Sequence, residues 1–166
     1  MKDNFERFSM YRISIDYPSD SRVEFNSKGR RETGDVVFQL PEKVRIFLSW
    51  GELEKISKRF NSVQEHAEYS LNAMKKGKHV TNFEQTSRDS VAVNSHKAAL
   101  NKVKLDEMIS TLLFTGKKPL HREAFSLHLH CSESNRYFVL YTLTPSDTEG
   151  KYDRILTKMV DSFKCH

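Results

Sequence analysis

The chain carries 166 residues, 37% hydrophobic and 11% aromatic, too rich in core-forming side chains for a disordered polypeptide. At this length roughly two thirds of the unfolded surface can be buried without metals or disulfides, so a single domain over residues 1–166 is expected. The formal charge of +5, from 27 Lys and Arg against 22 Asp and Glu, attracts acidic partners only weakly and does not by itself imply a nucleic-acid or membrane surface.

Residues 11–17 alternate Tyr11, Ile13, Ile15 and Tyr17 with Arg12, Ser14 and Asp16, the period of a strand with one buried face. Pro18 has no amide hydrogen and ends that ladder. Residues 26–35 are polar and read as a loop. Residues 36–40 and 44–50 then read as a hairpin around Pro41-Glu42-Lys43. Val63, Ala67, Leu71 and Met74 recur at helical spacing, Ser62 with Glu65 has the form of a capping box, and Gly77 suits a stop; together they predict a helix over 62–76. Leu53, Ile56 and Phe60 add a turn before it or belong to the connection. Strands are expected over 80–86 and through Ala98, Leu100 and Val103 to Leu105, with a turn at Arg88-Asp89-Ser90 between them. Met108, Ile109, Leu112, Leu113 and Phe114 suggest a short helix, and residues 116–119 a loop.

A clearer hairpin follows: residues 124–131, a turn at Ser132-Glu133-Ser134-Asn135, and residues 136–143. With Ser132 opposite Arg136, His130 pairs with Phe138, Leu129 with Val139, His128 with Leu140 and Leu127 with Tyr141. Both faces then carry apolar groups, which implies helices on both sides of the sheet, or a helix on one and a long loop on the other. After Gly150, Tyr152, Ile155, Leu156, Met159, Val160 and Phe163 make the apolar stripe of a closing helix near 150–164.

The order of these pieces resembles the PsbP-like domain, the fold of the PsbP extrinsic subunit of photosystem II and of the Ran-binding Mog proteins. The residues that carry the resemblance are Tyr17-Pro18-Ser19-Asp20 after the first strand, the inner strand ending at Trp50, and the helix from Ser62. Further on they are the phrase Val93-Asn94-Ser95-His96-Lys97-Ala98 and the last strand with its closing helix. The resemblance implies an α+β sandwich with a mostly antiparallel sheet of about six strands between helices. Two positions depart from the pattern: Ser21 stands where the family usually has tryptophan, and Ser95 where the middle phrase has glycine. No functional residue of the family matches position by position, so the resemblance implies a fold and no site.

His128 and His130 are the sharpest candidates for chemistry. Two apart on a strand, they emerge on one face about 7 Å apart, a spacing that metal sites use, with His121 or His79 as further members. The plainer reading is a pair of structural histidines between sheet and helix. Cys131 points to the opposite face, which separates it from them. Cys131 and Cys165 have no redox or zinc spacing and suit a reducing compartment, although a disulfide between them stays open. Neither an acyl-transfer motif nor a phosphate loop is present. The basic clusters Arg30-Arg31, Lys75-Lys76-Lys78, Lys102-Lys104 and Lys117-Lys118 fall mostly at element ends and loops, so nucleic acid is the weaker partner class. Trp50 and Phe47 read as core.

The expected function is a non-enzymatic binding or assembly module whose partner is another protein and which needs no cofactor. The alternatives are a metal-binding accessory protein using His128 and His130, and an enzyme of unrecognised type. No run approaches the ~18 apolar residues of a membrane span, and residues 1–7 lack the apolar stretch of a signal peptide, so a cytoplasmic location is expected.

Overall fold

The computed structural model describes residues 4–110, 116–148 and 150–166. In chain order its elements are β1 (Phe5–Met10), β2 (Ile13–Pro18), β3 (Arg22–Phe25), β4 (Gly34–Gln39), β5 (Arg45–Glu52), α1 (Leu53–Ser57) and α2 (Val63–Lys75). They continue as β6 (Val80–Val93), β7 (His96–Ser110), β8 (Lys117–Cys131), β9 (Arg136–Pro145), a 3-10 turn (Ser146–Thr148) and α3 (Asp153–Ser162).

The strand expected from residue 11 begins at Ile13. Tyr11 and Arg12 take positive φ angles of 52° and 63°, a pair of left-handed residues that folds a tight hairpin. Its partner is β1, whose alternation of Phe5 and Phe8 with charged residues is too irregular to announce a strand. Ile13 and Ile15 are fully buried. Phe8 meets Phe38 edge-on at 5.9 Å and Tyr17 stacks on it at 5.0 Å. This two-stranded sheet lies apart from the main one and joins α3: Ser14 and Lys164 exchange backbone hydrogen bonds, and the Asp16 amide donates to Ser162 Oγ.

The main sheet has seven antiparallel strands in the order β3-β4-β5-β9-β8-β7-β6. The β4–β5 hairpin forms as expected. Gly34 lies opposite Trp50, where an added Cβ would fall 2.4 Å from the indole, so the bare backbone admits the ring. Trp50 is buried, but Phe47 is three residues away on the strand and faces the other side, half-buried.

Three expectations for the meander β6 to β9 need correction. Arg88-Asp89-Ser90 do not turn the chain; they pair with Asn101, Leu100 and Ala99 within β6–β7. Turn-like polar residues fit there because β6 is an edge strand. The turn falls at Asn94 and Ser95, whose φ angles are 48° and 66°. Met108 and Ile109, expected in a helix, extend β7 opposite Pro119 and Lys118 of β8, where a loop was expected; Leu112, Leu113 and Phe114 lie outside the described residues. Pro119 is tolerated because β9 pairs with β8 only from Arg122, opposite Pro145, leaving the proline's nitrogen side without a ladder to break. The third correction is register: Cys131, not Ser132, faces Arg136, so His130 pairs with Tyr137, His128 with Val139 and Leu127 with Leu140.

α2 starts where the capping pattern put it. Ser62 Oγ accepts the Glu65 amide at 3.2 Å, while the Glu65 carboxylate accepts the Asn61 amide at 2.8 Å, one residue before the position of an ideal box. Val63, Ala67 and Leu71 are buried. α2 packs on β6, β7 and β8 from one side, and α3 with β1–β2 covers the other. The expected cover on both faces is therefore present. The apolar stripe of α3, together with Tyr152 and Phe163 at its ends, is buried throughout. Among the described residues no helix is long and apolar enough to cross a membrane.

Candidate functional site

Strand alternation on β8 divides the chemistry between the two faces. His128 and His130 point toward α2, whereas Leu129 and Cys131 point toward α3. Neither His79 nor His121 joins the first pair. His121 lies seven residues earlier on β8, about 23 Å away along the strand, beside Asp106. The third histidine is His66, on the buried stripe of α2. Its Nδ1 lies 3.2 Å from His130 Nε2, and its ring meets His128 edge-on at 4.9 Å.

Hydrogen bonding fixes the His128 tautomer. Ser70 Oγ donates its proton to the His66 carbonyl at 3.1 Å and so must accept from His128 Nε2, also at 3.1 Å. His128 Nδ1 is buried without a partner among the described residues. Burial, then His66 and His130, pushes the His128 pKa down to about 3. Burial likewise lowers His66 to about 4, with help from His130 and Arg59, and lowers His130. All three rings are neutral at pH 7. Phe60 stacks on His66 at 5.2 Å and Tyr137 meets it edge-on.

The opposite face holds a constellation that sequence spacing concealed. His96, Cys131, Cys165 and His166 bring one ligand atom each to within 4.8 Å of one another. Cys131 Sγ lies 3.5 Å from His96 Nε2 and from His166 Nδ1; Cys165 Sγ lies 3.3 Å from His166 Nδ1 and 2.9 Å from Cys131 Sγ. Three parts of the fold supply the donors. His96 opens β7 and Cys131 ends β8, opposite each other once the β7–β8 register is carried two residues beyond Ala98 and Leu129. Cys165 and His166 follow α3, held there by the Ser14–Lys164 backbone pair. Hydrogen bonding from Cys165, then from Ser134 and last from His166, depresses the Cys131 thiol against the opposing effect of burial, and the pairing with Cys131 together with burial raises that of Cys165. Arg136 is buried beside the sulfurs, donating to the Cys165 and Arg31 carbonyls.

A third feature is an open part of the sheet. On the α2 face, α2 covers β6 to β8, while Val37, Phe47 and Tyr141 form one cross-strand row over β4, β5 and β9, with Val139 beside it. All four are half-buried. The rings of Phe47 and Tyr141 lie 5.8 Å apart, and Asp35, Gln39 and Arg45 rim the row.

A groove of about 390 Å³ runs between α2 and β6–β7, lined by Glu68, Leu71, Phe83, Arg88 and Asn101 among others. Several of its polar groups pair with one another: Arg88 with Glu68 at 3.2 Å, Gln85 with Asn101 at 2.9 Å and Gln64 with Ser90 at 3.4 Å; Asn101 Nδ2 is buried with no hydrogen-bond partner among the described residues.

No family model matches this chain, and no curated protein matches its sequence. Its fold does have solved counterparts. It is similar to the cyanobacterial PsbP (CyanoP) of Synechocystis, with a TM-score of 0.63 at 11% identity over 98% of this chain and 92% of that one. Against the Ran-binding protein Mog1p of Saccharomyces cerevisiae the TM-score is 0.60 at 12% identity, over 97% and 95% of the two chains. Against PA94 of Pseudomonas aeruginosa, a protein of unknown function, it is 0.55 at 8% identity, over 98% and 97%. The chain has the PsbP-like fold, the architecture that the order of its motifs implied.

Proposed function

We propose that this PsbP-like chain is a non-enzymatic binding module whose partner is another protein, engaged through the row Val37, Phe47, Tyr141 and Val139. The observation that carries the reading is the half-buried apolar row itself. An apolar patch with a polar rim is how a binding surface differs from scattered exposed side chains. Alternating with polar Asp35 and Ser49 along the strands, the row fits the apolar face of an amphipathic segment of the partner. The fold is shared with a protein named for binding Ran, which supports a protein partner as a class and identifies none. The fully buried Cys131 favours binding over catalysis, because a nucleophile needs a route to substrate. Two free buried thiols agree with a cytoplasmic setting, where thiols stay reduced.

The test is affinity capture from the native cell with the unaltered chain, Val37→Lys, Phe47→Lys and, as a control on the opposite side of α2, Arg88→Glu. Circular dichroism would confirm that each variant folds. The expected outcome is a partner that binds directly when purified, persists with Arg88→Glu and weakens at least tenfold with either lysine variant. A partner that binds both lysine variants undiminished would remove this surface, and no reproducible partner would remove the reading.

A further inference from the structure

We propose that His96, Cys131, Cys165 and His166 form a tetrahedral site for one zinc-class ion, which fastens the segment after α3 to the ends of β7 and β8. The donor set is two sulfurs and two imidazole nitrogens with no carboxylate among them. Such a set selects a soft or borderline ion over magnesium or calcium, and four protein ligands describe a closed structural site rather than a catalytic one.

The geometry supports this independently of the donor types. With Zn–S bonds of about 2.3 Å and Zn–N bonds of about 2.0 Å, the sulfur-to-nitrogen edges of a tetrahedron are about 3.5 Å. Three of the four sulfur-to-imidazole separations here are 3.5, 3.5 and 3.3 Å, and all four donor atoms lie within 4.8 Å of one another. The sulfurs need to part, from 2.9 Å to roughly 3.8 Å. Cys165 lies beyond the last helical turn and can make that adjustment without disturbing a ladder. His166 is already oriented: its Nε2 lies 2.8 Å from Glu133 Oε2, which turns Nδ1 toward the thiols. A carboxylate holding the far nitrogen of a histidine is the common outer support of a zinc ligand. Arg136 adds a cation beside the sulfurs; its guanidinium donates to carbonyls and has no carboxylate partner among the described residues, so thiolates would supply its counter-charge. Loading releases to buffer whatever protons the two sulfurs still hold and transfers no electrons.

This inference is independent of the partner-binding surface, and its test reads metal alone. The reduced chain, stripped with chelator, is titrated with cobalt and then zinc. The expected result is one cobalt per chain with a thiolate-to-metal charge-transfer band and the visible bands of tetrahedral cobalt, both erased by equimolar zinc. Cys165→Ala should abolish the band; His66→Ala and His130→Ala should keep it. Should Cys165→Ala fail to fold, the surface variants His166→Ala and Glu133→Gln carry the test, Glu133→Gln weakening zinc affinity by about tenfold or more. Zinc should also slow proteolysis after α3 in the unaltered chain but not in His166→Ala. Absence of a cobalt–thiolate band, stoichiometry unchanged in the cysteine and His166 variants, or sulfurs that stay disulfide-bonded after reduction of the native chain would each overturn the site.

Discussion

His66, His128 and His130 form a group of neutral imidazoles held within the fold, and the consequence is measurable. In the folded chain His66 takes up a proton only near pH 4 and His128 near pH 3, whereas in the unfolded chain each does so near 6.5. Above pH 6.5 neither state binds these protons and stability is unaffected by them. Below it the unfolded chain gains protons that the folded one refuses, so stability falls with pH until about 4 for His66 and about 3 for His128. Urea midpoints between pH 7 and 4.5 should decline, and His66→Phe should decline less steeply. An equal slope in that variant would dismiss His66 as a source. His66 was legible in principle, since it stands three residues after Val63 and four before Ser70 on the buried stripe. The cysteine–histidine group was not legible: two of its members meet through strand register and the other two through a chain end folded back on the sheet, neither of which leaves a local spacing.

Elements were read best where a local rule decides them. The start of α2 is one case, because a side-chain oxygen must meet an orphan amide within a few residues. Ser62→Ala should therefore cost about 1 kcal/mol, visible as a lower urea midpoint with an unchanged slope; an unchanged midpoint would mean that the Glu65–Asn61 hydrogen bond alone caps the helix. Elements were misread where a neighbour decides. Arg88-Asp89-Ser90 have the composition of a turn, yet β7 offers them a ladder. The one-residue register error at Cys131 arose because every residue from 132 to 135 is polar, and only the left-handed Asn135 (φ 51°) settles how many belong to the turn. That single step reverses which partners His128 and His130 meet, since a slip of one exchanges the faces of a strand.

At the scale of the whole molecule, β7 and β8 continue beyond the end of β9 as a ribbon. Leu127 and Leu129 of β8 lie between β7 and β9, whereas Lys118 faces only Ile109. Native-state hydrogen exchange should find the amides of Ile109 and Lys118 exchanging at least about 100-fold faster than those of Leu127 and Leu129, since openings that spare the core have low free energies. Equal protection would mean that the ribbon opens only with the whole domain.

The return of β9 to lie beside β5, with Leu140 opposite Leu48, also governs the order in which the chain can fold. During synthesis β4 and β5 leave the ribosome long before the strand that completes their sheet. Until β9 emerges, the edge of β5 has no backbone partner, and Leu48 and Trp50 lack the α3 side of their core. Closing so long a loop is slow and exposes unpaired strand edges meanwhile. The interval before β9 arrives is therefore when a nascent chain most needs a chaperone.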